Sequence, residues 1–166
     1  VDAPMDVPTT MRAAVMTEYM KAMEDFNPAA MRVQEVPVPK VGEGEVLIKV
    51  IASSVNPVDW KFCSGRLDGW MPARFPMIPG FDCAGVVAAV GPGCSRLHVG
   101  DEVWADVVTR EGTGEMHEGG GSGDAKQDFM RMGGYGEFVA TSEKRVGLKP
   151  TNMTFDQAGT LPLVAL

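Results

Sequence analysis

The sequence predicts a mainly β fold with short helices, in the form of a partly open β-barrel or a sandwich. Short stretches in which apolar and polar residues alternate recur along the 166-residue chain, as expected for strands with one buried face. Glycine and proline, with 20 and 12 residues, separate these stretches and favour turns between them. Few segments have helical periodicity. Barrels and sandwiches are the architectures that this pattern favours.

The first part of the chain is predicted to begin with an arm and to continue with strands. Residues 1–10 are rich in proline, aspartate and threonine, which predicts a flexible N-terminal arm. Strands are expected over residues 11–19 and 31–39, the second of which is closed by its two prolines. The strongest predicted strand covers residues 45–55, where β-branched residues recur at every second position.

A short helix is predicted to follow this strand, over residues 56–65. Asn56 is a favourable N-cap, Pro57 suits the first helical position, and Asp59 complements the helix dipole in the first turn. Gly65 is suited to end the helix. The sequence therefore places polar side chains at the start of a helix, directly after a strand.

The second part of the chain alternates strands with glycine-rich connections. Further strands are predicted over residues 83–90, 101–108, 136–142 and 145–150. Residues 109–134 hold clustered glycine and no apolar periodicity, which predicts a long, mobile surface loop.

The end of the sequence predicts a helix that leads out of the barrel. Thr154 and Gln157 have the spacing of a capping box, which predicts a helix continuing to Leu166, although Pro162 would disturb it. The predicted organisation is an arm (1–10), a barrel domain (11–150) with a glycine-rich insertion (109–134), and the start of a linker helix (151–166).

Composition excludes several function classes. The net charge of −7 and the pI near 4.8 disfavour nucleic acid as a partner, and no apolar run is long enough to predict a membrane span. Cys63, Cys83 and Cys94 lack paired spacing, so we expect free thiols and a reducing compartment. The chain begins at Val1 without methionine, which fits either removal of a targeting peptide or a fragment boundary.

The stretch VVAAVGPGCSR resembles the start of a dinucleotide-binding turn but lacks the rest of one. Arg96 stands where a third glycine belongs, and Asp101 opens the next strand, so no crossover helix fits between them. We therefore predict a tight strand–turn connection in which Gly91 and Gly93 take positive φ.

Three segments together resemble the medium-chain dehydrogenases/reductases: residues 46–65, 78–103 and 133–166. Within that family the N-P-V-D-x-K stretch is most similar to the zinc-independent quinone oxidoreductases, namely the chloroplast-type quinone oxidoreductases and alkenal reductases. The resemblance implies a GroES-like, partly open β-barrel. It also implies that the Rossmann cofactor domain, which follows the barrel in the family, is absent from this sequence.

The positions of the family's zinc ligands predict that this chain binds no metal. Asn56 stands where zinc-dependent members have cysteine, and Phe81 with Asp82 replaces their His-Glu pair. Phenylalanine and a neutral amide are unsuited to zinc. We expect His98 to lie in a turn and His117 in the solvated loop.

The resemblance implies a substrate cleft for which this domain supplies one wall. Complete family enzymes pass a hydride from NADPH to a quinone or an activated alkene; no cofactor is expected in this chain itself. Asn56, Asp59 and Lys61 are the candidate catalytic residues that the resemblance implies. Asn56 would donate a hydrogen bond to a carbonyl or to the nicotinamide ribose, and Lys61 would stabilise an enolate or quinol oxygen. Asp59 would orient the side chain of either residue. The alternative is an ordinary helix start, with Lys61 in water.

Aromatic residues are candidates for the substrate lining, with core packing as the alternative. Trp60, Phe62, Trp70 and Phe75 fit either role, and we expect core packing for at least two of them. Tyr135, in a Gly-Gly-Tyr-Gly turn, is expected to be a packing aromatic rather than a proton donor.

Three functions remain open from the sequence. The first is an NADPH-dependent quinone or enone reductase, or its N-terminal part, with little activity alone because the cofactor domain is missing. The second is a non-catalytic accessory subunit of a larger, chloroplast complex, with other subunits as partners if the chain truly ends at Leu166. The third is a small-molecule binding module without redox chemistry. The resemblance and the N-terminus favour a chloroplast location.

Overall fold

The computed structural model describes residues 5–21, 25–111 and 129–165. It is mainly β with two short α-helices, as predicted. Single 3₁₀ turns lie at Pro28–Ala30 and Glu143–Arg145. The strands and helices are β1 (Thr10–Met16), β2 (Met31–Pro37), β3 (Glu45–Ala52), α1 (Pro57–Cys63), β4 (Asp82–Val90), β5 (Glu102–Asp106), β6 (Thr109–Glu111), β7 (Phe129–Arg131), β8 (Phe138–Ser142), β9 (Val146–Leu148) and α2 (Phe155–Ala158).

Five antiparallel strands form the central sheet, in the order β8-β3-β4-β5-β9. The two edge strands, β8 and β9, are joined by only the 3₁₀ turn Glu143–Arg145, so the sheet must curl until its edges approach one another. The resulting partly open barrel encloses a core of fully buried side chains that includes Val46, Ile48, Val87 and Val103.

The turn that follows β4 supports the junction of β8 and β9. The Glu143 carboxylate accepts hydrogen bonds from the backbone N–H groups of Ser95, Arg96 and Leu97, at 3.3, 2.8 and 2.9 Å. These bonds lower the pKa of Glu143. In return the Arg96 guanidinium donates to the carbonyls of Glu143 and Val146. The turn after β4 therefore helps to hold the barrel closed.

The two glycines of that turn are needed for different reasons. Gly93 has φ of 80°, as predicted. The prediction of positive φ at Gly91 is wrong, because Gly91 is not among the positive-φ residues. Instead, a Cβ at Gly91 would lie 2.0 Å from the carbonyl oxygen of Gly42, so close backbone approach requires glycine there.

The predicted loop over residues 109–134 is partly wrong, because both of its ends are strands. β6 and β7 pair antiparallel as a two-stranded sheet, with Thr109 opposite Arg131. The side chains near this ladder pack into a cluster with Phe62 and Met71. The central part of the predicted loop, including His117, lies outside the described residues.

Near the start of the chain, Met5 and Val7 pack against the cluster around β1 and β8. That part of the predicted arm therefore contacts the barrel. No helix in the described part of the chain is long and apolar enough to cross a membrane.

The last helix begins as predicted but ends early. The Thr154 hydroxyl accepts the Gln157 N–H at 3.2 Å, and the Gln157 side chain accepts the Thr154 N–H at 3.0 Å, which is the predicted capping box. The predicted continuation toward residue 166 is wrong: the helix ends at Ala158. Pro162 has no N–H and its ring clashes with a preceding helical carbonyl, so the chain continues in turns.

Candidate functional site

Helix α1 forms one side of the candidate site and is anchored by its buried face. Phe62 is 1% exposed and, with Asp59 and Cys63, occupies the inward positions of the helix. The Asp59 carboxylate accepts the backbone N–H of Asn56 at 2.6 Å, which fixes the start of the helix as the sequence predicted. This arrangement directs Asp59 inward, while Trp60 lies on the exposed side.

Asp82, at the start of β4, ties three segments together. Its side chain is 0% exposed. Oδ2 accepts hydrogen bonds from the Ser54 hydroxyl at 2.7 Å and from the Asn56 amide at 2.8 Å, and Oδ1 accepts the Leu163 N–H at 2.9 Å. One buried carboxylate therefore connects the β3–α1 loop with the segment that follows α2.

An open pocket of about 480 Å³ lies against α1. Its walls are mainly apolar and include the side chains of Met20, Phe26, Met31, Val55 and Trp60. Such a concave, largely apolar cavity with a few polar groups is typical of a small-molecule site.

The polar floor of this pocket consists of Asp59 and Tyr135. Asp59 Oδ1 and the Tyr135 hydroxyl are buried neighbours, but neither has a partner in hydrogen-bond geometry among the described residues. Burial raises the pKa of Asp59. Burial, and then the nearby Asp59 carboxylate, raise the pKa of Tyr135. The phenol therefore keeps its proton at neutral pH and is a hydrogen-bond donor.

Backbone packing places Tyr135 at the floor. Its N–H donates to the carbonyl of Pro79 at 3.1 Å, and its carbonyl accepts the N–H of Ala14 in β1 at 3.0 Å. A Cβ at Gly80 would lie 2.7 Å from the Tyr135 ring, and a Cβ at Gly134 would lie 2.6 Å from a β4 carbonyl oxygen. Two glycines thus let this segment pack directly on the start of β4.

The structure brings two of the three predicted site residues together. Asn56 and Asp59 are joined at the start of α1, whereas Lys61 is exposed, with its Nζ 5.9 Å from the centre of the Trp60 ring. The Asn56 amide donates to Asp82 and, at 3.1 Å, to Ser54. Donation by Asn56 to a substrate would require one of these bonds to break. The catalytic roles of the three residues stay predictions.

The candidate lining aromatics have separate locations. Trp60 lines the pocket, and Phe62 is in the core. Phe75 packs edge-on against Tyr19, with centroids 5.0 Å apart, and lies on a second cavity. Trp70 is 64% exposed.

Most of the pocket has no signature in the sequence. The sequence predicts only a packing role for Tyr135, and no local pattern marks Met20, Phe26, Met31 or Arg66 as site residues. The local signals that were present are the glycines on both sides of Tyr135 and the glycine before Phe81.

The residues at the zinc-ligand positions of the family are engaged with the protein itself. Asn56 donates to Asp82, and Phe81 is buried in the cluster with Phe62. Among the described residues no group of three or more His, Cys, Asp or Glu side chains is placed to hold a metal ion. The three cysteines are free thiols, as predicted. His98 lies in a turn, where its N–H donates to Asp101.

Comparison with known proteins identifies the family to which this fold belongs. The alcohol dehydrogenase GroES-like domain family matches residues 42–151. The chain is 34% identical over 164 residues to an NADPH-dependent alkenal/one oxidoreductase, chloroplastic, of Arabidopsis thaliana, and the match covers 98% of this chain and 37% of the relative. It is 35% identical over 132 residues to a chloroplast envelope quinone oxidoreductase homolog of the same plant (80% and 34%).

A solved structure supports the same relationship. A mycobacterial protein in complex with NADPH is 27% identical, with a TM-score of 0.66, and the match covers 90% of this chain and 37% of that one. The chain therefore spans little more than a third of the length of the proteins that it matches.

Proposed function

The chain belongs to the medium-chain dehydrogenase/reductase family through its GroES-like domain, on the branch of the quinone oxidoreductases and alkenal reductases, and on that premise we propose that it forms the substrate-binding wall of an NADPH-dependent enone or quinone reductase. The observation that carries this proposal is the apolar pocket beside α1 with Tyr135 and Asp59 at its floor. One of the two Arabidopsis relatives is by name an NADPH-dependent alkenal/one oxidoreductase.

In the proposed function Tyr135 donates a hydrogen bond to the carbonyl oxygen of the substrate. The phenol remains protonated because burial and Asp59 oppose its ionisation, and a preorganised donor stabilises the negative charge that develops on that oxygen. Asp59 lies beside the hydroxyl, where its carboxylate keeps the phenol protonated. Trp60 and the methionines of the pocket hold the carbon skeleton and exclude water.

NADPH, when bound, supplies the hydride, and its phosphates are expected to be held outside this domain. The Gly91–Gly93 turn belongs to the closure of the barrel, and no parallel strand–helix–strand unit occurs among the described residues. The described residues therefore fit a role in binding the substrate and offer no site for the phosphates of NADPH. We therefore expect little turnover by the isolated chain.

Fusion to a cofactor domain tests the proposal. The chain is joined to the remaining part of the Arabidopsis relative, and NADPH oxidation is followed with a 2-alkenal and with a quinone. We expect activity in the fusion, and Tyr135→Phe is expected to lower kcat about 10- to 100-fold through loss of one donor. Tyr19→Phe is the matched control, because the Tyr19 hydroxyl is bound by Asp68 outside the pocket. A folded fusion without NADPH-dependent reduction of either substrate would refute the proposal.

A second candidate is an accessory subunit, favoured by two strongly exposed apolar side chains, Val55 and Val164. Val55 is 80% and Val164 68% exposed. Each comes directly after a residue that donates a hydrogen bond to Asp82, Ser54 in the first case and Leu163 in the second. Such side chains are consistent with a surface that another protein or domain covers. A stable, monodisperse monomer by light scattering argues against a stable assembly of this chain.

The compartment of the protein is part of this proposal. Both Arabidopsis relatives are named for the chloroplast, and we extend that location to this chain. Fluorescence of the tagged gene product in its own cells tests the extension, and a signal excluded from plastids overturns it.

A further inference from the structure

Two cationic side chains, Arg66 and Lys21, line the pocket and are here called its rim. A third, Lys61, lies near Trp60. The Arg66 guanidinium lies 5.1 Å and the Lys61 Nζ 5.9 Å from the centre of the Trp60 ring. None of the three cations has an ion pair within the described part of the chain. In a protein with a net charge of −7, this largely apolar cavity thus has two cationic side chains in its lining.

Two carboxylates on the neighbouring segments make hydrogen bonds to neutral donors and form no ion pair with these cations within the described part of the chain. Asp68 accepts a hydrogen bond from the Tyr19 hydroxyl, and Glu18 accepts one from the Asn27 amide. Asp59 is buried at the floor, where it is bound to the start of α1. The pocket therefore combines a buried phenol and a buried carboxylate with apolar walls and two cationic side chains.

We propose that this pocket selects carbonyl compounds that carry an anionic group, such as a carboxylate or sulfonate, at the end remote from the carbonyl. The carbonyl lies toward Tyr135, the carbon skeleton packs along Trp60, and the anion meets Arg66 and Lys21. A guanidinium binds a planar or tetrahedral oxyanion through two parallel hydrogen bonds. The inference rests on the proposed function, because it names the substrate class of the same pocket.

Two probes of equal ring system separate the charge contribution from the apolar one. Anthraquinone-2-sulfonate and neutral 2-(hydroxymethyl)anthraquinone are titrated into the 166-residue chain at low salt, with calorimetry and tryptophan fluorescence as readouts. We expect the sulfonate to bind about 10-fold more tightly, which corresponds to one charge-assisted contact, and the difference to shrink as salt is added.

Variants at the rim assign the preference to its residues. Arg66→Gln and Lys21→Gln are expected to reduce the affinity for the sulfonate toward that for the neutral probe, and to change the affinity for the neutral probe by a smaller factor. Lys144→Gln is the matched control, because it removes the same charge from an exposed site in the turn after β8, outside the lining of the pocket. Circular dichroism confirms that each variant is folded.

Three outcomes overturn the inference: equal affinity for the two probes, equal loss in Lys144→Gln, or displacement of the sulfonate by inorganic phosphate at comparable concentration. The binding assay uses neither NADPH nor turnover. A fusion that reduces enones while the probes bind equally defeats this inference alone. A chain that prefers the sulfonate while the fusion is inactive defeats the proposed function alone.

Discussion

Replacing Asp82 by alanine removes one acceptor from three donors at once. The Ser54 hydroxyl, the Asn56 amide and the Leu163 N–H all lose their partner, in a place where the carboxylate is 0% exposed. Buried donors without partners are costly because water cannot replace the lost bond. The substitution therefore tests whether Asp82 ties these segments together.

The magnitude follows from two opposing contributions. A hydrogen bond to a charged group stabilises by about 1.5–3 kcal/mol, so three bonds set an upper limit of about 4.5–9 kcal/mol. Removing the charge also relieves its burial, which costs several kcal/mol. We expect Asp82→Ala to lose about 2–4 kcal/mol. Asp82→Asn keeps one oxygen acceptor but places its NH₂ group against donors that the second carboxylate oxygen accepted before. We expect this substitution to lose about 1–3 kcal/mol of the free energy of unfolding.

Urea unfolding and amide exchange measure this effect. A loss of 2–4 kcal/mol lowers the midpoint by about 1–2 M urea at unchanged slope, and exchange of the Leu163 amide should rise by more than the global loss explains. Asp156→Asn, at an exposed position on α2, is the control and should change stability by no more than about 0.5 kcal/mol. The reasoning fails if Asp82→Ala costs less than about 1 kcal/mol or leaves Leu163 protected.

Three further outcomes are expected. Gly91→Ala should destabilise by about 2–4 kcal/mol in urea because its Cβ would meet a backbone carbonyl at 2.0 Å, whereas Gly69→Ala, which meets nothing within 4 Å, should stay within about 0.5 kcal/mol. Because the pKa of Glu143 is lowered, its charged form stabilises the fold above the ordinary pKa of 4.5, and this stabilisation is lost as pH falls through the lowered pKa. The difference in Tm between wild type and Glu143→Gln should therefore narrow below pH 4.5. A difference that stays constant with pH would contradict this. Burial raises the pKa of Tyr19 to about 12 and that of Tyr135 further. Since tyrosines in the unfolded chain ionise near pH 10.0, the free energy of unfolding should fall as pH rises above that value. Ultraviolet absorption at about pH 11 should therefore show phenolate only in unfolded chains.

Local signals in the sequence were sufficient for much of the barrel. β3 and α1 were predicted close to their observed bounds because alternation, an N-cap and an early proline all act over a few residues. The same locality explains one error. The capping box at Thr154 started α2 correctly, but it carries no information on where the helix stops, and Pro162 decided that.

The floor of the candidate site could not be predicted in this way. Asp59 and Tyr135 meet because β1 and the start of β4 both bind the segment around Tyr135, and no pattern within either segment records that contact. The rim was missed for a similar reason, since Lys21 and Arg66 come from separate connections that only the fold brings to one pocket. Charge and hydropathy describe a residue, whereas a site depends on its neighbours in space.

The pairing of β6 with β7 has a consequence for how the protein tolerates change in length. Glu111 lies opposite Phe129, so this short ladder acts as a stem that fixes the two ends of the glycine-rich segment whatever lies between them. When flexible residues are added between fixed ends, each doubling of length costs only about 0.6 kcal/mol of closure entropy. The stem thus makes this position suited to the insertion of a tag, a sensor peptide or a binding loop without disturbance of the barrel.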